Sequence, residues 1–243
     1  MPHGTPDWGL VGPKTTTYGL DDLGEHAVRL GSPHLWDRRG DVVWLTDFRD
    51  GLGDVERVVA GVGAGVCLHT GWARQGAFCA QTTYPDAAGT WAFLRKGVPF
   101  PRGSGLGLEA SAAWDVNLEN FTLSLYGNDG IHPFLAGFRY NYAAPTACEY
   151  VNAAGLWTPL PPAFMAAAAY GTPKTLKMTM DFVQGRYLRF QMNEREWDGG
   201  AYAYQYAGAP GTPDLYATVA GHPEAAKTAI VYIDSIIVTQ NEP

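Results

Sequence analysis

The stretch Leu176-Lys177-Met178-Thr179-Met180-Asp181-Phe182-Val183-Gln184-Gly185-Arg186-Tyr187-Leu188-Arg189-Phe190-Gln191-Met192-Asn193 decides the fold class. Both halves alternate apolar and polar residues with a period of two, which gives a strand one buried and one outward face. The inward sets are Leu176, Met178, Met180 and Phe182, then Leu188, Phe190 and Met192. Val183–Arg186 joins them and carries Gly185 where a tight turn needs it, so the stretch reads as a β-hairpin. Tyr187, Arg189 and Gln191 then share the non-core side of the second strand.

The same pattern extends in both directions. Phe121-Thr122-Leu123-Ser124-Leu125-Tyr126 puts Phe121, Leu123 and Leu125 on one side. Val42–Phe48 is a β-rich run closed by Asp50-Gly51, and further runs cover Thr90–Arg95, Leu135–Tyr142, Ala201–Tyr206, Tyr216–Val219 and Ala229–Val238. Gly 30 and Pro 17 supply the turns that many short strands require. The 243 residues are 46% hydrophobic and 17% charged, enough apolar surface to fold and a length that one all-β sandwich accommodates. No internal repeat or low-complexity linker divides the run.

Residues 1–40 differ. Turn residues dominate up to Tyr18, and the one regular segment, Asp21–Leu30, is a helix of a few turns with Leu23, Ala27 and Leu30 on its apolar face. A helix that short is not stable alone in water, so it must pack on something. Together with Trp8 it reads as an arm ordered by docking, and a second short helix is expected over Pro162–Tyr170. The domain reading is thus an arm at 1–40 and a sandwich at 41–243.

Val43–Asp50 near the start, the central alternating strands, the hairpin above and the terminal Tyr232-Ile233-Asp234-Ser235-Ile236-Ile237-Val238 together resemble the concanavalin-like or laminin-G-like jelly-roll sandwiches. The resemblance implies an all-β fold whose first and last strands pair. It also implies a structural Ca²⁺ between Asp47 and Asp234, although six or more oxygens are needed and the sequence offers two. The arm, from Pro2-His3-Gly4-Thr5-Pro6-Asp7-Trp8 to Asp41-Val42-Val43-Trp44, resembles arms of phage and viral structural proteins of the decoration type.

Several chemistries lack their residues. A net charge of −7 leaves no basic face for nucleic acid, and no apolar run is long enough to span a membrane. The first residues lack the basic and apolar order of a secretory signal. Cys67, Cys79 and Cys148 have neither zinc nor disulfide-framework spacing, and the six histidines are scattered. Gly103-Ser104-Gly105-Leu106-Gly107 is not followed by a lysine-bearing helix, which excludes a phosphate loop. Glu194 and Glu196 have strand spacing for a pair of catalytic carboxylates, but they run into Asp198-Gly199-Gly200, a solvated turn.

Aromatic content of 13% favours binding, and Tyr187, Arg189, Gln191 and Trp197 form the candidate surface for a glycan or a protein. The leading expectation is a non-enzymatic, virion- or capsid-associated structural protein, assembled in the host cytoplasm. It would be anchored through Trp8, Leu23 and Leu30 to other subunits, as a homo-oligomer, without nucleic acid or membrane. The alternative is a carbohydrate-binding module or lectin, and the third reading a polysaccharide hydrolase or lyase.

Overall fold

The computed structural model describes residues 39–73, 77–85, 90–100, 105–142, 147–161, 171–206, 208–225 and 227–243. Among them are sixteen strands, labelled β1–β16 in chain order, in two antiparallel sheets. The first sheet runs β13 (Arg195–Asp198), β12 (Arg186–Met192), β11 (Lys174–Asp181), β6 (Gly105–Trp114), β16 (Ala229–Gln240), β4 (Cys79–Tyr84) and β3 (Gly65–His69), with β1 (Asp41–Thr46) also paired to β16. The second runs β10 (Trp157–Pro159), β9 (Ala147–Val151), β8 (Pro133–Asn141), β7 (Leu118–Asn128), β15 (Asp214–Pro223), β5 (Trp91–Gly97) and β2 (Glu56–Ala60), with β14 (Gln205–Tyr206) added to β8.

Alternation along the long strands builds the core between the sheets. Leu108, Trp114, Leu176, Met178, Phe190, Val231 and Ile233 of the first sheet face Phe121, Leu123, Leu125, Phe138 and Val219 of the second. Each such side chain, taken wholly out of water, contributes about 1.5–3 kcal/mol. The first and last strands pair as the resemblance implies, from Asp41 opposite Gln240 to Thr46 opposite Ile236. The segments assigned to the arm, including Trp8, the helix Asp21–Leu30 with Leu23 and Leu30, and the second helix at 162–170, lie outside the described residues. Among the described residues no helix is long and apolar enough to cross a membrane.

The hairpin is present as β11 and β12, with Gly185 at φ 64 in its turn. One detail departs from strict alternation. Thr179 pairs with Arg189 and Met180 with Tyr187, so Leu188 is an extra, bulged residue. The bulge reverses the facing of everything on its turn side, and Tyr187 enters the sandwich while Arg189 and Gln191 stay outside. Tyr187 is therefore corrected from a surface ring to a core residue.

Its hydroxyl ties the sheets together. It accepts from the Gly137 N–H at 2.9 Å and donates to the Val151 carbonyl at 2.9 Å, just past the point where the β8–β9 ladder ends at Phe138 and Tyr150. Tyr187→Phe removes both bonds inside an apolar core and is expected to destabilise the fold by about 1–3 kcal/mol. A lowered urea midpoint at unchanged slope is the reading that checks it.

Candidate functional site

The outer face of the first sheet, where the sequence places a binding surface, is closed. Arg189 is 5% exposed and Gln191 4%. Between them and the chain end, the Glu242 carboxylate lies buried, 2.7 Å from Lys177 Nζ and 2.5 Å from Arg189 Nη2, and accepts from the Thr239 hydroxyl. Trp197 pairs with Phe190, packs half-buried against the core and donates to the Pro161 carbonyl at 3.3 Å. Glu196 is bound by Arg39 and approached by Arg189, while Glu194 is exposed in the turn. Among the described residues, these contacts fasten the edge of the first sheet and bury Arg189 and Gln191 beneath them.

The outer face of the second sheet carries different side chains, although Asn120, Thr122 and Thr218 on it are as buried as Arg189 and Gln191. On β7 the alternation that buries Phe121, Leu123 and Leu125 turns Asn120, Thr122, Ser124 and Tyr126 outward. Register places Thr218 and Ala220 of β15 beside Ser124 and Thr122 on one flank, and Gly137 and Arg139 of β8 beside the same residues on the other. The middle of this face is thus a floor of small side chains. Gly137 is required there, because a Cβ would lie 2.9 Å from the Trp157 ring and 2.7 Å from Val151 Cγ2.

Tall groups stand on either side of the floor. On β8, the Arg139 guanidinium lies 4.4 Å from the centre of the Trp157 ring and donates through Nε to Glu149 at 2.5 Å. Its terminal nitrogens have no partner among the described residues. On β5, Arg95 lies 5.0 Å over the Tyr216 ring, which stacks with Tyr126 at 5.4 Å. Arg95 also donates to both oxygens of Glu56, at 2.7 and 2.5 Å, and to the Tyr126 hydroxyl at 3.1 Å. That hydrogen bonding holds the Glu56 carboxyl below the usual carboxylate range.

His222 completes the face beside Arg139. It continues β15 past Gly221, opposite Asn120, and is exposed at the rim. Its pKa is lowered from 6.5, first by loss of hydration among crowded neighbours and then by Arg139, with Glu119 acting the other way. The shift favours the uncharged imidazole. Asn120 accepts from the Thr122 hydroxyl at 3.1 Å.

The two carboxylates bound to arginines on this face cannot form a hydrolytic pair. Glu149 on β9 and Glu56 on β2 are five strand spacings apart, about 24 Å, against the ~5–9.5 Å that glycoside hydrolysis uses. Each is also committed to an arginine. For calcium, the end of β1 comes near Asp234 through the Thr46–Ile236 pair, but Asp47 is engaged by the Arg49 backbone and guanidinium. Among the described residues no three His, Cys, Asp or Glu side chains gather to hold a metal.

No protein-family model matches the sequence, and no curated protein matches it. Among solved structures, an alginate lyase from a Chlorella virus superposes with a TM-score of 0.55 at 8% identity, covering 82% of this chain and 99% of its own. An endo-β-1,4-glucuronan lyase from the fungus Trichoderma reesei gives 0.53 at 9% identity, covering 82% and 95%. The fold is a concanavalin-like jelly roll. The expectation of a non-enzymatic virion component is corrected on this finding, because these two structures, which share the fold over most of the chain at 8–9% identity, are polysaccharide lyases. The outer face of the second sheet takes the place of Tyr187, Arg189, Gln191 and Trp197 as the candidate site. Arg95, Tyr126, Arg139, Tyr216 and His222 escaped the sequence reading, which followed the outward face of one hairpin strand and could not tell which other strands lie side by side.

Proposed function

We propose that this jelly roll is a polysaccharide lyase that cleaves an acidic, uronate-bearing glycan by β-elimination in the groove of the second sheet. The observation that carries the reading is Arg139 beside His222, on a face where Glu56 and Glu149 stand too far apart for hydrolysis. The names of the two structural neighbours support the reaction class.

The chemistry follows from the side chains. The proton on C5 of a uronate is too weakly acidic to leave unless the adjacent carboxylate is neutralised. Arg139, with its terminal nitrogens available and its plane fixed by Trp157 and Glu149, forms charge-assisted bonds to that carboxylate. His222 takes the C5 proton as general base. The electron pair of the C5–H bond forms the C4=C5 double bond, and the C4–O4 bond breaks. The departing oxygen recovers its proton from the His222 imidazolium or from water, so the reaction balances with no cofactor.

Alginate and polyglucuronate are the substrates to incubate with the purified protein, following both new reducing ends and ultraviolet absorbance of the double bond conjugated to the carboxylate. The two signals should rise together. Reducing ends without absorbance would make the protein a hydrolase, and neither signal on any acidic polymer would remove the catalytic reading.

A further inference from the structure

The second arginine of the groove has no task in the reaction above. Arg95 stands three strand spacings from Arg139, about 14 Å across the strands, too far to touch the same uronate. Its surroundings are nevertheless those of a ligand site. Glu56 occupies the side of the guanidinium formed by Nε and Nη2, and Tyr126 takes one N–H of Nη1. Of five N–H groups, one on each terminal nitrogen is left without a partner among the described residues.

The neighbouring side chains point the same way. Thr218 lies directly opposite Arg95 on β15, is 9% exposed, and its buried hydroxyl oxygen has no hydrogen-bond partner. An unpaired buried hydroxyl in a floor otherwise made of small residues is a cost that a ligand oxygen would relieve. The stacked Tyr126 and Tyr216 rings stand next to it and offer an apolar plate for a sugar face.

We infer that Arg95, Thr218, Tyr126 and Tyr216 form a second subsite that binds the carboxylate of another uronate farther along the same chain. This rests on the lyase reading of the groove. It makes the enzyme one that measures two acidic sugars at once, favours long, contiguously acidic chains and cuts within them. Neutral glucans, or polymers whose acidic sugars are isolated, do not engage both arginines.

The test compares KM for long polyuronate and for the shortest oligouronate that is cleaved, in the natural protein, Arg95→Ala, Arg95→Lys and Thr218→Val. Losing a charge-assisted pair should raise KM for the long chain about tenfold or more in Arg95→Ala and so erase the preference for length. Arg95→Lys should restore part of it, and the near-isosteric Thr218→Val should show a smaller shift of the same kind. Long and short substrates weakened equally, or a preference for length left intact in both Arg95→Ala and Thr218→Val, would overturn the subsite while leaving the lyase reading in place. If the natural protein forms no double bond on any polyuronate, the reading beneath this inference fails first and takes it along.

Discussion

Replacing His222 with alanine should lower kcat for double-bond formation by about 10²–10⁴-fold, the range for loss of a positioned general base. KM should change little, because Arg139 and the floor still hold the sugar. The pH profile gives a sharper signature. Loss of hydration beside its neighbours, and then Arg139, lower the His222 pKa from 6.5, so the reactive neutral form persists into mildly acidic solution. The acid limb of kcat/KM should therefore fall below pH 6.5, and an Arg139→Ala protein, relieved of one cationic neighbour, should have its limb shifted upward. The sign for stability is consistent. The unfolded chain binds the proton more readily than the folded one, so stability declines as pH drops below about 6.5 and levels off beneath the folded-state pKa. A limb at or above 6.5 would mean that another group is the base.

The second large effect concerns the closed face. Glu242 is a buried carboxylate held between Lys177 and Arg189, with Gly40, Gly105 and Gly107 packed so close that a Cβ at any of them would meet it. Glu242→Gln keeps the shape and removes the charge, which leaves two buried cations without their common counter-ion. The expected cost is about 3–5 kcal/mol. In a chain of this size that corresponds to a drop in Tm of roughly 6–20 °C. Salt should not rescue it, since a buried pair is screened far less than an exposed one. By contrast, Glu224→Gln, which breaks the exposed Lys227–Glu224 pair, should change Tm by very little.

The jelly roll was legible in the alternation of Phe121–Tyr126 and of the hairpin, because a strand with one buried face must repeat every two residues. The site was half legible by the same rule: once Phe121, Leu123 and Leu125 are inward, Thr122, Ser124 and Tyr126 are outward. What alternation cannot supply is which strands stand side by side, and the floor exists only because β7 lies between β8 and β15. His222 was hidden for a local reason. The run read from the sequence stops at Val219, yet the backbone goes on pairing with β7 through Asn120. Tyr187 was misplaced because a bulge at Leu188 leaves no mark on the apolar pattern while reversing the facing beyond it. Glu242 follows the last strand without periodicity, and only the folded chain brings it onto Lys177 and Arg189.

The central claim is that the chemistry belongs to the groove of the second sheet. The most direct measurement is the rate of absorbance increase on polyuronate by the natural protein, His222→Ala and Gln191→Ala, side by side. The account predicts activity in the natural protein, its near-complete loss in His222→Ala, and its retention in Gln191→Ala, where the change lies on the closed face. Loss of activity in Gln191→Ala with His222→Ala still active would contradict it and return the site to β12.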